Sequence, residues 1–179
     1  MQIPISNRYA SMVFDLCKQN DWSEIVYKDF ESLHHFFEIS EHFNDFIVNP
    51  AFTNLKRVEV IQNLLQKHIS DVTLKILLFI EDKKHLNMLD EILSEFLRLY
   101  RIEKNILKIK IVSSAYLDQK QIDAICDQLK HKFRKKIEHN LIIDAGLIGG
   151  LKIIVDDTVY DFTFKSQLNR FRERILTPV

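Results

Sequence analysis

Glycine is scarce in this chain: three of its 179 residues are glycine, and all three lie between positions 146 and 150. Average proteins contain about 7% glycine, and β-rich proteins use it in tight turns. Proline is also rare, with three residues. Outside the glycine cluster, the sequence therefore excludes a turn-rich β protein and predicts helices that end at polar caps.

The chain also has few cysteines, no net charge and no long apolar run. Cys17 and Cys126 lie in separate apolar segments without a second cysteine or a close histidine at metal-ligand spacing, as is typical of buried thiols in a reducing compartment. Lys plus Arg equals Asp plus Glu at 25 each, which disfavours a general nucleic-acid binder. No stretch approaches the about 18 apolar residues of a membrane span, and the start lacks a signal-peptide pattern. We expect a cytosolic protein that meets a membrane only through a partner.

Apolar residues recur at helical spacing from Ile3 to about Asn105 and predict a six-helix bundle. Three polar residues are predicted to cap the second, fourth and fifth helices: Asp21, Thr53 and Ser70. The stripes predicted to face the core are Ile5, Tyr9, Met12, Val13 and Leu16 in the first helix, Ile25, Phe30, Leu33 and Phe37 in the second, and Leu55, Val58, Ile61, Leu64 and Leu65 in the fourth.

At Ile106 the apolar period changes from 3.6 to 2, which predicts a strand and the start of a second domain. The elements predicted after it are a helix capped by Asp118, a strand over 137–143, a hairpin of 151–155 and 159–162 turning at Asp156-Asp157, and a terminal helix over 165–176 with Leu168, Phe171 and Ile175 on its apolar stripe. The predicted fold class is α+β. A helical bundle over 1–105 precedes a small domain over 106–179, which has a few strands, a β-hairpin after the glycine cluster and two helices.

The two halves differ in charge. Residues 1–105 contain 12 basic and 16 acidic residues, and residues 106–179 contain 13 and 9, so their net charges are −4 and +4. This is either chance or a sign that the two domains face different partners.

Most candidate chemistry fails on spacing. The glycine cluster lacks the spacing of a phosphate-binding loop and has strand signals on both sides, so Gly146, Gly149 and Gly150 are predicted to be structural. On one helix His35, Glu38 and His42 share a face, but metal-protease spacing is absent and solvated side chains are favoured. The basic run 131–136 could contact phosphates, yet Phe133 lies on an apolar stripe and basic residues also suit a helix C-terminus. We expect no catalytic residues, cofactor or metal, and hence no ordinary enzyme.

A specific resemblance emerges at the glycine cluster. The stretch from Ile143 to Val155, with Gly149-Gly150 inside it, followed by Val159-Tyr-Asp161-Phe-Thr163, resembles the C-terminal signature of the ATP synthase delta subunit family, called the oligomycin-sensitivity-conferring protein in mitochondria. The N-terminal Arg8-Tyr9-Ala10, the Asn49-Pro50 pair, Val112-Ser-Ser-Ala115 and the helical first half agree with that family.

The resemblance implies a non-catalytic stator subunit of the proton-translocating ATP synthase. The helical domain would bind N-terminal segments of the alpha subunits, and the C-terminal domain would bind the C-terminal segment of the peripheral-stalk b subunit. The absence of a transit segment favours a bacterial subunit at the cytoplasmic face of the inner membrane. The helices expected to form the alpha-subunit interface are the first and fifth, through Tyr9, Ala10, Val13, Phe14, Cys17, Leu74, Leu78 and Phe79. The alternatives are an unrelated helical adaptor and a small nucleic-acid-binding protein.

Overall fold

The computed structural model describes residues 4–49, 52–155 and 158–176. Its α-helices are α1 (Ile5–Gln19), α2 (Ser23–Ile39), α3 (Glu41–Val48), α4 (Asn54–Leu65), α5 (Asp71–Asp82), α6 (Leu89–Glu103), α7 (Gln119–Phe133) and α8 (Phe164–Leu176), with a 3-10 turn over Leu86–Met88. The strands are β1 (Ile106–Ser113), β2 (Lys136–Ile143), β3 (Leu151–Val155) and β4 (Thr158–Asp161). This confirms the α+β class.

The chain divides into two compact units, and the boundary between them falls between Tyr100 and Arg101 of α6. The sequence places the boundary at residue 105, where the helical pattern ends, and that division into independently folding domains stays a prediction. Pro50 and the predicted turn at Asp156-Asp157 lie outside the described residues.

The core of the first unit is built around Phe96 of α6, which is fully buried. The ring of Phe96 meets the rings of Phe14 and Phe30 edge to face, with centroids 5.7 and 4.8 Å apart. Such pairs add to the stability that burial of the rings provides. The helices α1, α2 and α6 are thereby packed on one another.

The helix caps predicted at Thr53 and Ser70 are confirmed. Their side chains accept hydrogen bonds from backbone amides in the first turns of α4 and α5. The predicted cap at Asp21 is wrong. Asp21 has a left-handed backbone with φ of 57°, and the next amide, on Trp22, donates to the Cys17 carbonyl at 2.9 Å. This is the hydrogen bond that closes the C-terminus of α1, so Asp21 ends one helix and does not begin the next.

In the described part of the chain, four residues other than glycine take the left-handed conformation, each just after a helix: Asp21, Lys84, Asn105 and Arg134. Helices commonly end in this conformation, and glycine usually supplies it. No glycine occurs before Gly146, so residues that bear side chains take this conformation at these helix ends, at a cost in backbone strain.

Six apolar positions predicted to face the core of the bundle are exposed: Ile5, Met12 and Leu16 in α1, Ile25 in α2, and Leu55 and Leu64 in α4. In α4 the predicted stripe advances three residues at a time, which turns it by about −60° at each step. Leu55 and Leu64 therefore lie on opposite sides of the helix, and Ile61 and Leu65 supply the buried contacts. In α2, Val26 is buried in place of Ile25.

The second unit is a four-stranded mixed sheet of order β2-β1-β3-β4. Strands β1 and β2 are parallel and joined through α7, while β3 pairs antiparallel with both β1 and β4, which confirms the hairpin. Asp118 caps α7 in a reciprocal capping box with Gln121, as predicted for the cap. The buried cluster between helix and sheet contains Leu107, Ile109, Ile111, Leu129, Ile153 and Val155.

Candidate protein-binding site

An apolar groove of about 860 Å³ runs between α1 and α5 in the first unit. Its apolar lining includes Met12, Val13, Leu16, Trp22, Val72, Ile76 and Phe79, and its polar lining is Asp15, Gln19 and Lys75. Met12, Leu16 and Phe79 are each between 41% and 45% exposed. Large apolar side chains so exposed along one groove are typical of a surface that binds an amphipathic helix.

On α1, most of the residues predicted to form the interface are buried, and three of those predicted to face the core are exposed. Ala10, Phe14 and Cys17, predicted to be interface residues, are buried in the core, and so is Val13, although it also borders the groove. The exposed wall consists of Met12 and Leu16, which the sequence pattern assigned to the core. Both faces are apolar, and a pattern of apolar residues does not indicate which one the other helices cover.

On α5 the interface residues divide differently. Phe79 lines the groove, whereas Leu74 and Leu78 are half-buried and lie outside its lining. Tyr9 of α1 is also half-buried, and its ring packs on that of His85 at 4.9 Å. The groove residues that the sequence analysis missed on α5 are Val72, Lys75 and Ile76, which a helical wheel places on one side with Phe79.

Asp29 of α2 fixes the start of α5, and so one wall of the groove. Its Oδ2 accepts hydrogen bonds from the backbone N–H of Ser70 at 2.9 Å, the Ser70 hydroxyl at 2.7 Å and the Thr73 hydroxyl at 2.6 Å. Hydrogen bonds to a carboxylate are stronger than neutral ones. The spacing of 41 and 44 residues explains why the sequence did not predict this contact.

The glycine cluster shapes the second unit. Gly150 has φ of +87°, and a Cβ placed there would lie 2.5 Å from the carbonyl oxygen of Phe162. A Cβ on Gly149 would lie 2.4 Å from Cδ2 of Phe164, while one on Gly146 would meet the Asp144 side chain at 3.1 Å. The loop therefore needs small residues at 149 and 150, so that the connection into α8 can pass against it.

The predicted histidine face is not assembled as a metal site. His35 Nδ1 lies 3.5 Å from Glu38 Oε2. The neighbouring His34 contacts another helix instead: its Nε2 lies 3.0 Å from the Ser94 hydroxyl and 3.7 Å from Asp90 Oδ1, both on α6. Among the described residues, no group of three His, Cys, Asp or Glu side chains could hold a metal ion.

The cysteines are unsuited to nucleophilic chemistry. Burial raises the pKa of Cys17 to about 11, and burial also raises the pKa of Cys126. Folding brings Cys126 Sγ to 3.7 Å from His139 Nδ1, a proximity that the sequence spacing does not reveal. Because the thiolate is the reactive form, these pKa shifts keep both thiols protonated and inert at neutral pH.

The basic run 131–136 does not present an aromatic ring for base stacking. Phe133 packs against the sheet core and meets the ring of Tyr160 edge to face at 6.5 Å. Lys132 Nζ lies 4.3 Å from the centroid of the same Tyr160 ring. This arrangement favours the core interpretation of Phe133 over nucleic-acid binding.

None of the helices in the described ranges is long and apolar enough to cross a membrane.

Comparison with known proteins gives a consistent family assignment. The family model of the ATP synthase delta (OSCP) subunit matches residues 5–175. The ATP synthase subunit delta of Fusobacterium nucleatum is 27% identical over 94% of this chain and 97% of its own length, and that of Acetivibrio thermocellus is 28% identical over 96% and 97%. A chain in the cryo-EM structure of the Toxoplasma gondii mitochondrial ATP synthase hexamer shares the fold, with a TM-score of 0.74, 23% identity and coverage of 99% of this chain and 100% of that one. The chain therefore belongs to the ATP synthase delta (OSCP) subunit family, whose members are stator subunits of the ATP synthase peripheral stalk.

Proposed function

We propose that this chain is the non-catalytic joint between the catalytic head and the peripheral stalk of a proton-translocating ATP synthase. In this role it holds the head still while the central stalk rotates, so that rotation is coupled to ATP synthesis. The family assignment, which covers residues 5–175, supports the proposal that this chain works in the ATP synthase complex. The single observation that carries the mode of action is the apolar groove between α1 and α5.

The groove is the proposed site for an N-terminal segment of the alpha subunit. An amphipathic helix laid in a groove buries apolar anchors at positions i, i+3, i+4 and i+7. Met12 and Leu16 are one turn apart on α1, and Phe79 stands on the opposite wall, so the groove offers apolar contact along both sides of such a helix. Asp15 and Lys75 give the rim one charge of each sign, which allows paired contacts with a mixed-charge helix.

The first unit is proposed to act as a rigid six-helix bundle for this purpose. The Asp29 hydrogen bonds to Ser70 and Thr73 hold the groove wall in place before any partner arrives. A preformed wall lowers the ordering cost of binding.

The second unit is the proposed site for the C-terminal segment of the b subunit. Residues 106–179, which make up most of this unit, contain 13 basic and 9 acidic residues, and this surplus of four positive charges supports a contact that is partly electrostatic. The chain then reaches the membrane through the complex, at the cytoplasmic face of a bacterial inner membrane. It has no catalytic step of its own, and nucleotides are expected to leave both contacts unchanged.

The decisive experiment combines co-purification with a peptide titration. Tagged full-length protein should recover the synthase subunits from detergent-solubilised membranes. In calorimetry, a peptide of the alpha-subunit N-terminus should bind the full chain, and Met12→Asp or Leu16→Asp should weaken binding at least about tenfold, or 1.4 kcal/mol. Both positions are exposed, so the thermal melt should not change.

Leu64→Asp provides the matched control, because Leu64 is 53% exposed on α4 and is not part of the groove lining. It should bind the peptide as the unmodified protein does. Equal affinity of the Leu16→Asp and Leu64→Asp variants would contradict the groove assignment. Recovery of no synthase subunit would contradict the stator function itself.

A further inference from the structure

Each wall of the apolar groove carries one charged side chain that the folded chain does not pair. Asp15 of α1 and Lys75 of α5 both line the groove and are exposed. Within the described residues neither makes an ion pair or a side-chain hydrogen bond, whereas Lys83, further along α5, is paired with Asp82 at 2.9 Å. Opposite charges that stay unpaired on the two walls are available to a bound partner.

The two walls run antiparallel. The ring of Tyr9, near the start of α1, packs on that of His85, just after α5, at 4.9 Å. At the other end of the groove, Trp22 follows α1 and Val72 lies in the first turn of α5, and both line the groove. The macrodipoles of the two walls therefore oppose each other, so a helix lying between them gains no preferred direction from them.

The two charges lie near the same level of the groove. Counted from the Tyr9–His85 contact, Asp15 is six residues along α1 and Lys75 is ten residues back along α5. At 1.5 Å per residue these separations are about 9 and 15 Å. The charges thus stand on opposite walls, offset by roughly one helical turn, and a helix in the groove passes between them.

The apolar lining does not select a direction for that helix. Anchors at positions i, i+3, i+4 and i+7 have the same spacing when the helix is read backward. Met12, Leu16 and Phe79 can therefore contact such anchors in both directions. The flanks of the helix behave differently, because turning it end for end exchanges the flank that faces α1 with the flank that faces α5.

We infer that Asp15 and Lys75 select the direction in which the partner helix lies in the groove. Its basic flank contacts Asp15 on α1, and its acidic flank contacts Lys75 on α5. In the reverse direction each wall meets a like charge, which opposes binding. This inference rests on the proposed alpha-subunit site. The direction matters there because it decides from which end of the groove the bound segment continues into its own subunit.

The size of the effect follows from what exposed charges contribute. Two opposite-charge contacts in one direction and two like-charge contacts in the other should favour the first direction by at least about fivefold. Gln19, the remaining polar residue of the lining, is neutral and has both a donor and an acceptor, so it suits either flank.

The test uses the full-length chain and two synthetic amphipathic peptides of identical composition. Both have Leu at i, i+3, i+4 and i+7. The first has Glu along one flank and Lys along the other, and the second has these two flanks exchanged. Each peptide is made with a nitroxide at its N-terminus or at its C-terminus. Both peptides should bind, but in opposite directions.

Trp22 reports the direction. It is the single tryptophan of the chain and lies at one end of the groove, and a nitroxide quenches its fluorescence only from nearby. One end of the first peptide should quench Trp22 at least about fivefold more than the other end, and for the second peptide the ends should exchange. In about 1 M salt, where the Debye length is about 3 Å, the two ends should quench more equally.

The variant Asp15→Lys/Lys75→Asp should exchange the quenching ends of both peptides. Lys56→Glu/Glu59→Lys is the matched control, because it exchanges two exposed charges on α4 outside the groove lining, and it should leave the quenching ends as they are. A structural defect lowers binding in both directions and cannot exchange the ends.

Four outcomes would overturn the inference: equal quenching from both ends, the same quenching end for both peptides, no exchange in Asp15→Lys/Lys75→Asp, or no binding of either designed peptide. If the chain recovers the synthase and binds the alpha-subunit peptide but fails these tests, the inference alone is wrong. If the designed peptides bind in the expected directions but no synthase subunit is recovered, the proposed function is wrong instead.

Discussion

Nη1 of Arg57 on α4 lies 3.8 Å from Oε1 of Glu81 on α5, and the Glu81 side chain is 1% exposed. In the described residues neither carboxylate oxygen of Glu81 has a hydrogen-bond partner, and neither has Nε of Arg57. Nη2 of Arg57 instead donates to the Asn49 carbonyl at 2.6 Å. The two charges are thus close enough to attract each other but too far apart for a hydrogen bond to the carboxylate. An ionised Glu81 is therefore costly in the folded protein.

Replacing Glu81 by glutamine should stabilise the first unit at neutral pH. Burial raises the pKa of Glu81 above its ordinary value, and the nearby Arg57 charge opposes that shift only in part. Below its unfolded-state pKa, Glu81 is protonated in both the folded and the unfolded protein and does not reduce stability. Because its folded-state pKa is raised, the free energy of unfolding falls as the pH rises from there through the folded-state pKa. Glu81→Gln removes this pH-dependent loss. The melting temperature of the variant should therefore exceed that of the unmodified protein by more at neutral than at acidic pH.

Arg57→Met supplies the opposite test of the same pair. It removes the compensating charge and should destabilise by about 1–3 kcal/mol at neutral pH, and by less where Glu81 is protonated. Denaturant melts at several pH values measure both variants. A loss of stability on Glu81→Gln at neutral pH would contradict this account.

Removing the Asp29 carboxylate should damage the groove as well as the fold. Asp29→Ala leaves the Ser70 and Thr73 hydroxyls and the Ser70 amide without their acceptor, which should cost about 2 kcal/mol. The start of α5 then loses its anchor, so the affinity for the alpha-subunit peptide should fall more than in Thr73→Val, which removes one of the three bonds. Chemical denaturation and peptide titration on the same samples give both values.

Valine at position 150 should destabilise the second unit by on the order of 1–3 kcal/mol. The φ of +87° strains any side chain, and the Cβ would press on the backbone at Phe162 and Thr163, which cannot rotate away. Gly146→Ala is the control within the same loop, since its neighbour is the tip of the Asp144 side chain, and it should cost little. Thermal unfolding compares the two; a fully stable Gly150→Val would show that the loop carries no such requirement.

Glycine at position 84 should stabilise the protein by on the order of 1 kcal/mol. Lys84 is exposed and has φ of 61° at the end of α5, where the next amide, on His85, donates to the Ile80 carbonyl at 3.1 Å. Glycine adopts this conformation without the penalty that a Cβ brings. Lys84→Ala keeps the Cβ and serves as control, so the difference in unfolding free energy between the glycine and alanine variants isolates the backbone term.

A fragment of residues 1–105 should fold alone. Its caps and apolar stripes are local to that segment, and the change of period at Ile106 marks its end. Circular dichroism should show a helical spectrum and a cooperative thermal transition. A gradual, non-cooperative melt would mean that the division at residue 105 is not a domain boundary.

Much of the secondary structure was determined by the sequence alone, because its signals are local. Thr53, Ser70 and Asp118 cap helices through side-chain bonds to amides within the next turn, and such a bond depends on neighbouring residues alone. The alternation after Ile106 identifies β1 for the same reason. The glycine cluster, as the signature of a family, was enough to indicate the stator function.

The tertiary structure decided which apolar surfaces remain uncovered. The sequence shows that α1 is apolar on more than one side and that α8 has a stripe, but it does not show which of these surfaces the rest of the chain covers. Packing against Phe96 buries Phe14 and leaves Met12 and Leu16 for the groove. The period of apolar residues indicates that one face of a helix is apolar. Whether other parts of the chain cover that face depends on the packing of the whole fold.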